Sequence, residues 1–289
     1  MSDPALLNTL ERIANSLERM SPPPLTPDIL NHHDAFVWQA SLGALEPIDK
    51  VSGVSLSLLK GVERQSQQLL TNTQHFANGF TANNAMLWGA RGMGKSSLVK
   101  ATVAYVNNEQ HSKNAPLIAL IEIQRDELSS LPKLLSLLRK SDRRFILFCD
   151  DLSFESQDSD YKSLKSVLDG GISGRPSNVL IYATSNRRHL MPREMIENEN
   201  TNAINPSEAV EEKVSLSDRF GLWIGLYGAS QTEYLAIVEA YAQDRKLPIS
   251  PEDLRRKALQ WSMARGSRSG RVAAQFIDDL SAELGVPHT

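Results

Sequence analysis

The chain has 289 residues, 22% of them charged and 41% hydrophobic, with a formal net charge of −3. These values exclude a wholly disordered or fibrous class, and they withhold the basic field that drives non-specific attachment to nucleic acid. The length allows one large domain or a main domain with a smaller companion, and the single cysteine, Cys149, excludes an internal disulfide and fits a reducing compartment.

In chain order, Leu6, Leu7, Leu10, Ile13, Leu17 and Met20 recur at spacings of three and four, one stripe of an amphipathic helix. Asp3 stands where a secretory signal carries basic residues, so no such signal is read there. "SPPPLTP" stops the helix, because proline cannot continue one. Residues 1–50 are expected to form an N-terminal helical extension whose stripe packs on the main body. From Leu58 the pattern alternates: "SLLKGVERQSQQLLTNTQHF" (helix), "AMLW" (strand), "KSSLVKATVAYV" (helix), "PLIALIEI" (strand), "LPKLLSLLRK" (helix), "RFILFC" (strand), "DYKSLKSVLDG" (helix), "NVLIYATS" (strand) and "GLWIGL" (strand). Short apolar strands alternating with helices predict an α/β fold with a five-stranded parallel sheet flanked by helices, over residues 51–228. A long polar stretch, 187–213, precedes the last strand. Three helical segments, each opening with a capping serine, then predict a small all-helical domain over 229–289. No apolar run is long enough to span a bilayer, so a cytoplasmic protein without a membrane partner is expected.

"GARGMGKSS", between a predicted strand and a predicted helix, matches the phosphate-binding pattern G-x-x-x-x-G-K-[ST] at Gly89, Gly94, Lys95 and Ser96. The expected cradle is Gly89, Ala90, Arg91, Gly92, Met93, Gly94, Lys95, Ser96 and Ser97. Glycines let successive N–H groups turn toward a phosphate, Lys95 reaches the β- and γ-oxygens, and the Ser96 hydroxyl ligates Mg²⁺. ATP and Mg²⁺ are therefore the expected ligands. The strand "RFILFC" ends in Asp150 and Asp151. Asp150 is expected to reach Mg²⁺ through water and Asp151 to orient or deprotonate the attacking water. Cys149 is read as core, and His32 and His33, being adjacent, diverge and offer no metal-ligand spacing.

In the set and order of these elements, about residues 55 to 285 resemble the AAA+ ATPases. The match is closer still to a bacterial family of predicted AAA+ ATPases of undefined role, through "GARGMGKSS", "CDDLSFE", "ATSNRRHLMPRE" and "SDRFG". The resemblance implies that Asn186, ending "VLIYATSN", bonds the γ-phosphate or the lytic water. It also implies that Arg219 in "SDRFG" is an arginine finger and that Arg271 in "GSRSGRVAAQF" reaches the nucleotide from the lid, with Arg268 in reserve. Many members carry Glu where this chain has Asp151, and Glu155 lies nearby, so which carboxylate positions water stays open. "EIQRDELSSLPK" lacks the aromatic glycine loop of polypeptide-threading members, which argues against an unfoldase.

What the resemblance implies is an ATPase acting at subunit interfaces of a homo-oligomer, a ring or partial ring with a hexamer among the options, that remodels or loads a macromolecular partner. The alternative is a nucleotide-gated switch or loader acting on DNA or a DNA-processing protein. The arginines of "ARGSRSGR" favour it and the negative net charge opposes it. A small-molecule kinase would leave Asn186, Arg219 and the helical domain without roles.

Overall fold

The computed structural model describes residues 9, 12, 13, 16, 30, 32–153, 159–169, 174–186 and 219–287. The described strands are β1 (Ala35–Gln39), β2 (Ala44–Pro47), β3 (Ala85–Gly89), β4 (Ala119–Glu122), β5 (Phe145–Cys149), β6 (Val179–Ser185) and β7 (Leu222–Leu226). The described α-helices are α1 (Glu63–Ala77), α2 (Lys95–Ser112), α3 (Leu131–Leu138), α4 (Ser159–Leu168), α5 (Gln231–Asp244), α6 (Pro251–Arg265) and α7 (Gly270–Glu283). Two 3-10 turns, η1 (Leu56–Leu58) and η2 (Arg125–Ser130), complete the described elements.

All strands join one sheet in the order β2-β1-β4-β5-β6-β3-β7. Every pairing is parallel except that of β1 with β2. β5 and β6 are buried along their whole length, which explains why "FILFC" and "VLIYA" run apolar without alternation: helices cover both faces of a parallel sheet. One core lies on the face bearing Phe36, Trp38, Phe145, Leu147 and Ile181, against α3. A second lies on the face bearing Leu87, Ile146, Phe148 and Tyr182, against α1 and α2. The lid helices α5, α6 and α7 enclose a third core around Tyr234, Val238, Ala258 and Phe276.

The five expected strands are β3 to β7, and all five are parallel. Among the described residues the sheet nevertheless has seven strands and begins well before residue 51, because β1 and β2 come from a segment expected in the helical extension. Their cause is long-range. β1 pairs with β4, and the fully buried Trp38 donates its indole N–H to Ser130 Oγ at 2.7 Å. Arg143, preceding β5, donates to the carbonyls of Leu30 and His33 and to Asp34, fixing where β1 enters the sheet. No contact of this range leaves a periodic mark in five residues of sequence. Of the N-terminal stripe, Leu6, Leu7, Leu10, Leu17 and Met20 lie outside the described residues, as do 170–173 and 187–218.

Candidate functional site

The turn after β3 owes its path to glycine. Gly89 has φ +137°, and a Cβ there would sit 1.8 Å from the Leu226 carbonyl oxygen of β7. Only a residue without a side chain lets the strand turn so close to its neighbour. Gly94, with φ +83°, caps α2, whose first residue is Lys95. The turn thus delivers the start of α2, with its outward N–H groups and positive dipole end, to the C-terminal edge of the sheet.

Lys95 is only 7% exposed. Its Nζ donates to the carbonyls of Gly89 and Ala90 and to Asn186 Oδ1, each at 2.9 Å. Burial lowers its pKa from the ordinary lysine value, and the carboxylates of Asp151 and Asp150 oppose that shift. The Asn186 amide nitrogen donates to Asp151 Oδ1, so a chain of contacts runs from the ammonium to the second acidic residue. Ser96 Oγ donates to Asp150 Oδ1 at 2.6 Å. Asp151 has φ +50°, an unusual backbone for a residue with a side chain, of the kind that clusters at functional sites. Cys149, the buried end of β5, has its thiol pushed up to about 12 by burial, which leaves it unreactive at neutral pH.

The lid closes over this turn. Arg271 N–H donates to the Gly92 carbonyl at 3.1 Å, which ties the start of α7 to the phosphate turn. A cleft of about 620 Å³ results, lined by residues 91–97, Asp150, Asp151, Thr184, Asn186 and Arg271. The same cleft is lined by Val54, Leu58, Leu59, Lys60 and Val62 from the η1 region and by Ile237, Tyr241 and Ala274 from α5 and α7. Arg91, Lys95, Arg271 and the N–H groups at the start of α2 stand beside Asp150 and Asp151, and most of the lining from η1 and the C-terminal helices is apolar. Cations and N–H donors next to an apolar wall suit a nucleotide.

Of the residues predicted from sequence, 91–97, Asp150, Asp151, Asn186 and Arg271 line one cleft. Gly89 and Ala90 shape it through the carbonyls that receive Lys95. Arg268, the reserve for Arg271, lies instead on a separate depression with Ala229, Ser262 and Met263. Arg219 does not line the cleft. It lies three residues before β7, its Nε donates to Asp169 Oδ1, and its side chain is 25% exposed. β7 runs parallel to β3, with Leu226 opposite Gly89, so Arg219 and the phosphate turn sit at opposite ends of the sheet, roughly 15 Å or more apart. Glu155 lies outside the described residues. The sequence reading missed Thr184 and the apolar lining of the cleft. Thr184 had a signal, being with Ser185 the polar close of a buried strand; the apolar lining had none, since its parts are far apart in the chain.

The residues present fit a Mg²⁺-nucleotide. A hydroxyl and a carboxylate meet at 2.6 Å beside the lysine, the arrangement that suits a cation held by few protein oxygens, with phosphate oxygens and water filling its shell. Among the described residues no cluster of three or more His, Cys, Asp or Glu could hold a metal without such help. No described helix is long and apolar enough to cross a membrane.

Residues 31–284 match the model of the family described as "Protein of unknown function (DUF815)". No curated protein matches the chain. Among solved structures, the chain is similar to the Orc1 protein of Aeropyrum pernix, solved in complex with DNA, at 12% identity and a TM-score of 0.53, over 78% of this chain. It spans 65% of that protein's length. It is similar also to the Orc2 protein of Aeropyrum pernix, solved as ADPNP-ADP complexes, at 13% identity and a TM-score of 0.51, over 80% of this chain and 70% of that one. A lesser likeness, at a TM-score of 0.45 and 13% identity over 81% of this chain and 85% of that one, is to the RuvB Holliday junction branch migration motor of Thermotoga maritima. The first two likenesses show the fold of the P-loop AAA+ ATPases.

Proposed function

This chain belongs to the family described as "Protein of unknown function (DUF815)" and has the AAA+ fold, and on that premise we propose that it is a Mg²⁺-dependent ATPase that works at the interface between copies of itself and remodels or loads a macromolecular partner. The observation that carries the reading is the contact chain from Lys95 through Asn186 to Asp151, with Ser96 and Asp150 beside it. It joins a phosphate-facing cation, an amide and a carboxylate free to address water, which is what phosphoryl transfer to water needs.

In this scheme the N–H groups at the start of α2 and the Lys95 ammonium take the triphosphate. Mg²⁺, held by Ser96 and through water by Asp150, would neutralise charge on the phosphates. Asp151, oriented by Asn186, positions the attacking water and accepts its proton. Arg271 approaches from the lid side of the same cleft, so lid position and phosphate occupancy are linked through one side chain. Arg219 is assigned to the nucleotide of a neighbouring copy, because its own cleft lies at the other end of the sheet.

Purified protein is expected to release phosphate from ATP with no added acceptor. Lys95→Met should lose binding of a fluorescent ATP analogue, whereas Asp151→Asn should bind it normally and turn over at least a hundredfold more slowly, on the order expected for a misplaced catalytic group. Normal turnover in the Asp151→Asn protein would sink the assignment. A second reading, a nucleotide-gated loader acting on DNA, is favoured by Arg265 and Arg268, exposed near the end of α6. Its mark would be DNA affinity that falls steeply with salt.

A further inference from the structure

We propose that Thr184 is a positioning residue that sets both carboxylates of the acidic pair through a single hydroxyl. Thr184 lies on β6 and is 1% exposed. Its Oγ1 donates to Asp150 Oδ1 and accepts from the Asp151 backbone N–H at 2.9 Å. Its carbonyl accepts from the Leu152 N–H at 2.6 Å, so the strand holds three successive residues of the acidic turn. A hydroxyl has one proton, and with that proton committed to Asp150 the oxygen can only accept from the amide. The two contacts therefore reinforce one arrangement and forbid its reverse.

The arrangement has a purpose that spacing alone would not serve. On an extended strand, consecutive side chains point to opposite faces. Asp150 and Asp151 would then diverge, and only one could face a nucleotide. The left-handed backbone at Asp151 swings the second carboxylate round to Asn186, and such a conformation persists only where its surroundings over-determine it. Thr184 contributes to that determination by accepting from the Asp151 amide at 2.9 Å, the shorter of two contacts that this N–H makes, the other being to Asp150 Oδ1 at 3.1 Å. At the same time it holds Asp150 Oδ1, which also receives Ser96, at the place where the cation is wanted. One buried oxygen thus keeps the metal-facing and the water-facing carboxylates in register with each other.

This inference rests on the ATPase reading, and its test separates the two. Thr184→Val keeps the shape of the side chain and removes the hydroxyl; Thr184→Ser keeps the hydroxyl and removes the methyl. The valine variant is expected to bind a fluorescent ATP analogue within about threefold of the wild-type affinity. Its turnover should fall, and the Mg²⁺ concentration for half-maximal turnover should rise, by roughly ten- to a hundredfold each, the range found for outer-shell partners of metal ligands. Thr184→Ser should recover most of both losses. A merely structural threonine would change the melting temperature and leave the Mg²⁺ dependence alone. Wild-type turnover and Mg²⁺ dependence in the valine variant would overturn the proposal, as would a serine variant no better than valine. If valine prevents folding, Thr184→Ala compared with Thr184→Ser asks the same question. Wild-type protein without ATPase activity defeats the parent reading, whereas an active wild type indifferent to Thr184→Val defeats this proposal alone.

Discussion

Lys95 is bound by three neutral acceptors, the Gly89 and Ala90 carbonyls and the Asn186 amide oxygen, while the carboxylates of Asp150 and Asp151 lie further off. Burial costs its charged form more than those partners return, so its folded-state pKa lies below 10.5. Between that lowered value and the unfolded one, the unfolded chain binds more protons, and stability rises with pH across this window. Below the window the penalty is present in full. Lys95→Met, which keeps the apolar stem and removes the charge, should therefore melt at a higher temperature than wild type while losing nucleotide. A thermal scan without nucleotide checks it; a lower melting temperature would mean that the three acceptors outweigh desolvation. Function here opposes stability, because a cation paired more strongly would be less available to phosphate.

At the scale of the element, the lid helices show how far local chemistry reaches. Ser230 and Ser250, both expected as caps, accept from the N–H groups of Glu233 and Asp253, whereas the third helix is capped two residues later than expected, by Ser269 accepting from Val272 N–H in place of Ser267. Ser230 and Glu233 form a reciprocal capping box, in which the Ser230 N–H donates to Glu233 at 2.7 Å and holds its carboxyl below the usual range. Glu233 also lies against Gly61, where a Cβ would meet its side chain at 3.2 Å, so the cap fixes the lid against the loop that lines the cleft. Ser230→Ala should cost about 1 kcal/mol in urea unfolding at neutral pH. The carboxylate's share is present above the ordinary glutamate pKa and is lost as pH falls through the lower folded value. The difference between variant and wild type should accordingly shrink in acid; a difference constant down to the acid transition would show that Glu233 contributes nothing through its charge. The hairpin β1–β2 is the opposite case. Its local marks, the strand formers Phe36, Val37 and Trp38 before a turn with Gly43 at φ +63°, are short, and its place in the sheet depends on the edge of β4 and on Ser130, which receives Trp38.

Across the whole molecule, the nucleotide cleft and Arg219 occupy opposite ends of the sheet, so a single copy cannot bring one to the other. If Arg219 serves a neighbour, turnover per subunit should rise with protein concentration. Arg219→Ala should keep ATP affinity and lose about a thousandfold in turnover at saturating protein, the order known for such fingers. Steady-state rates over a dilution series test this, and rates independent of concentration would remove the finger from the mechanism. By itself the sequence determined the glycine turn after β3, the acidic strand end, the five parallel strands and two of the three serine caps on the C-terminal helices, because each is written in residues adjacent in the chain: glycine spacing, apolar runs, a serine before a helix. Only the tertiary structure decided that Thr184 holds the acidic pair, that Arg271 and not Arg268 lines the cleft, and that residues 35–47 extend the sheet. These depend on which distant segments meet when three cores close. That is set by the summed burial of side chains across the fold, which no short window of sequence contains.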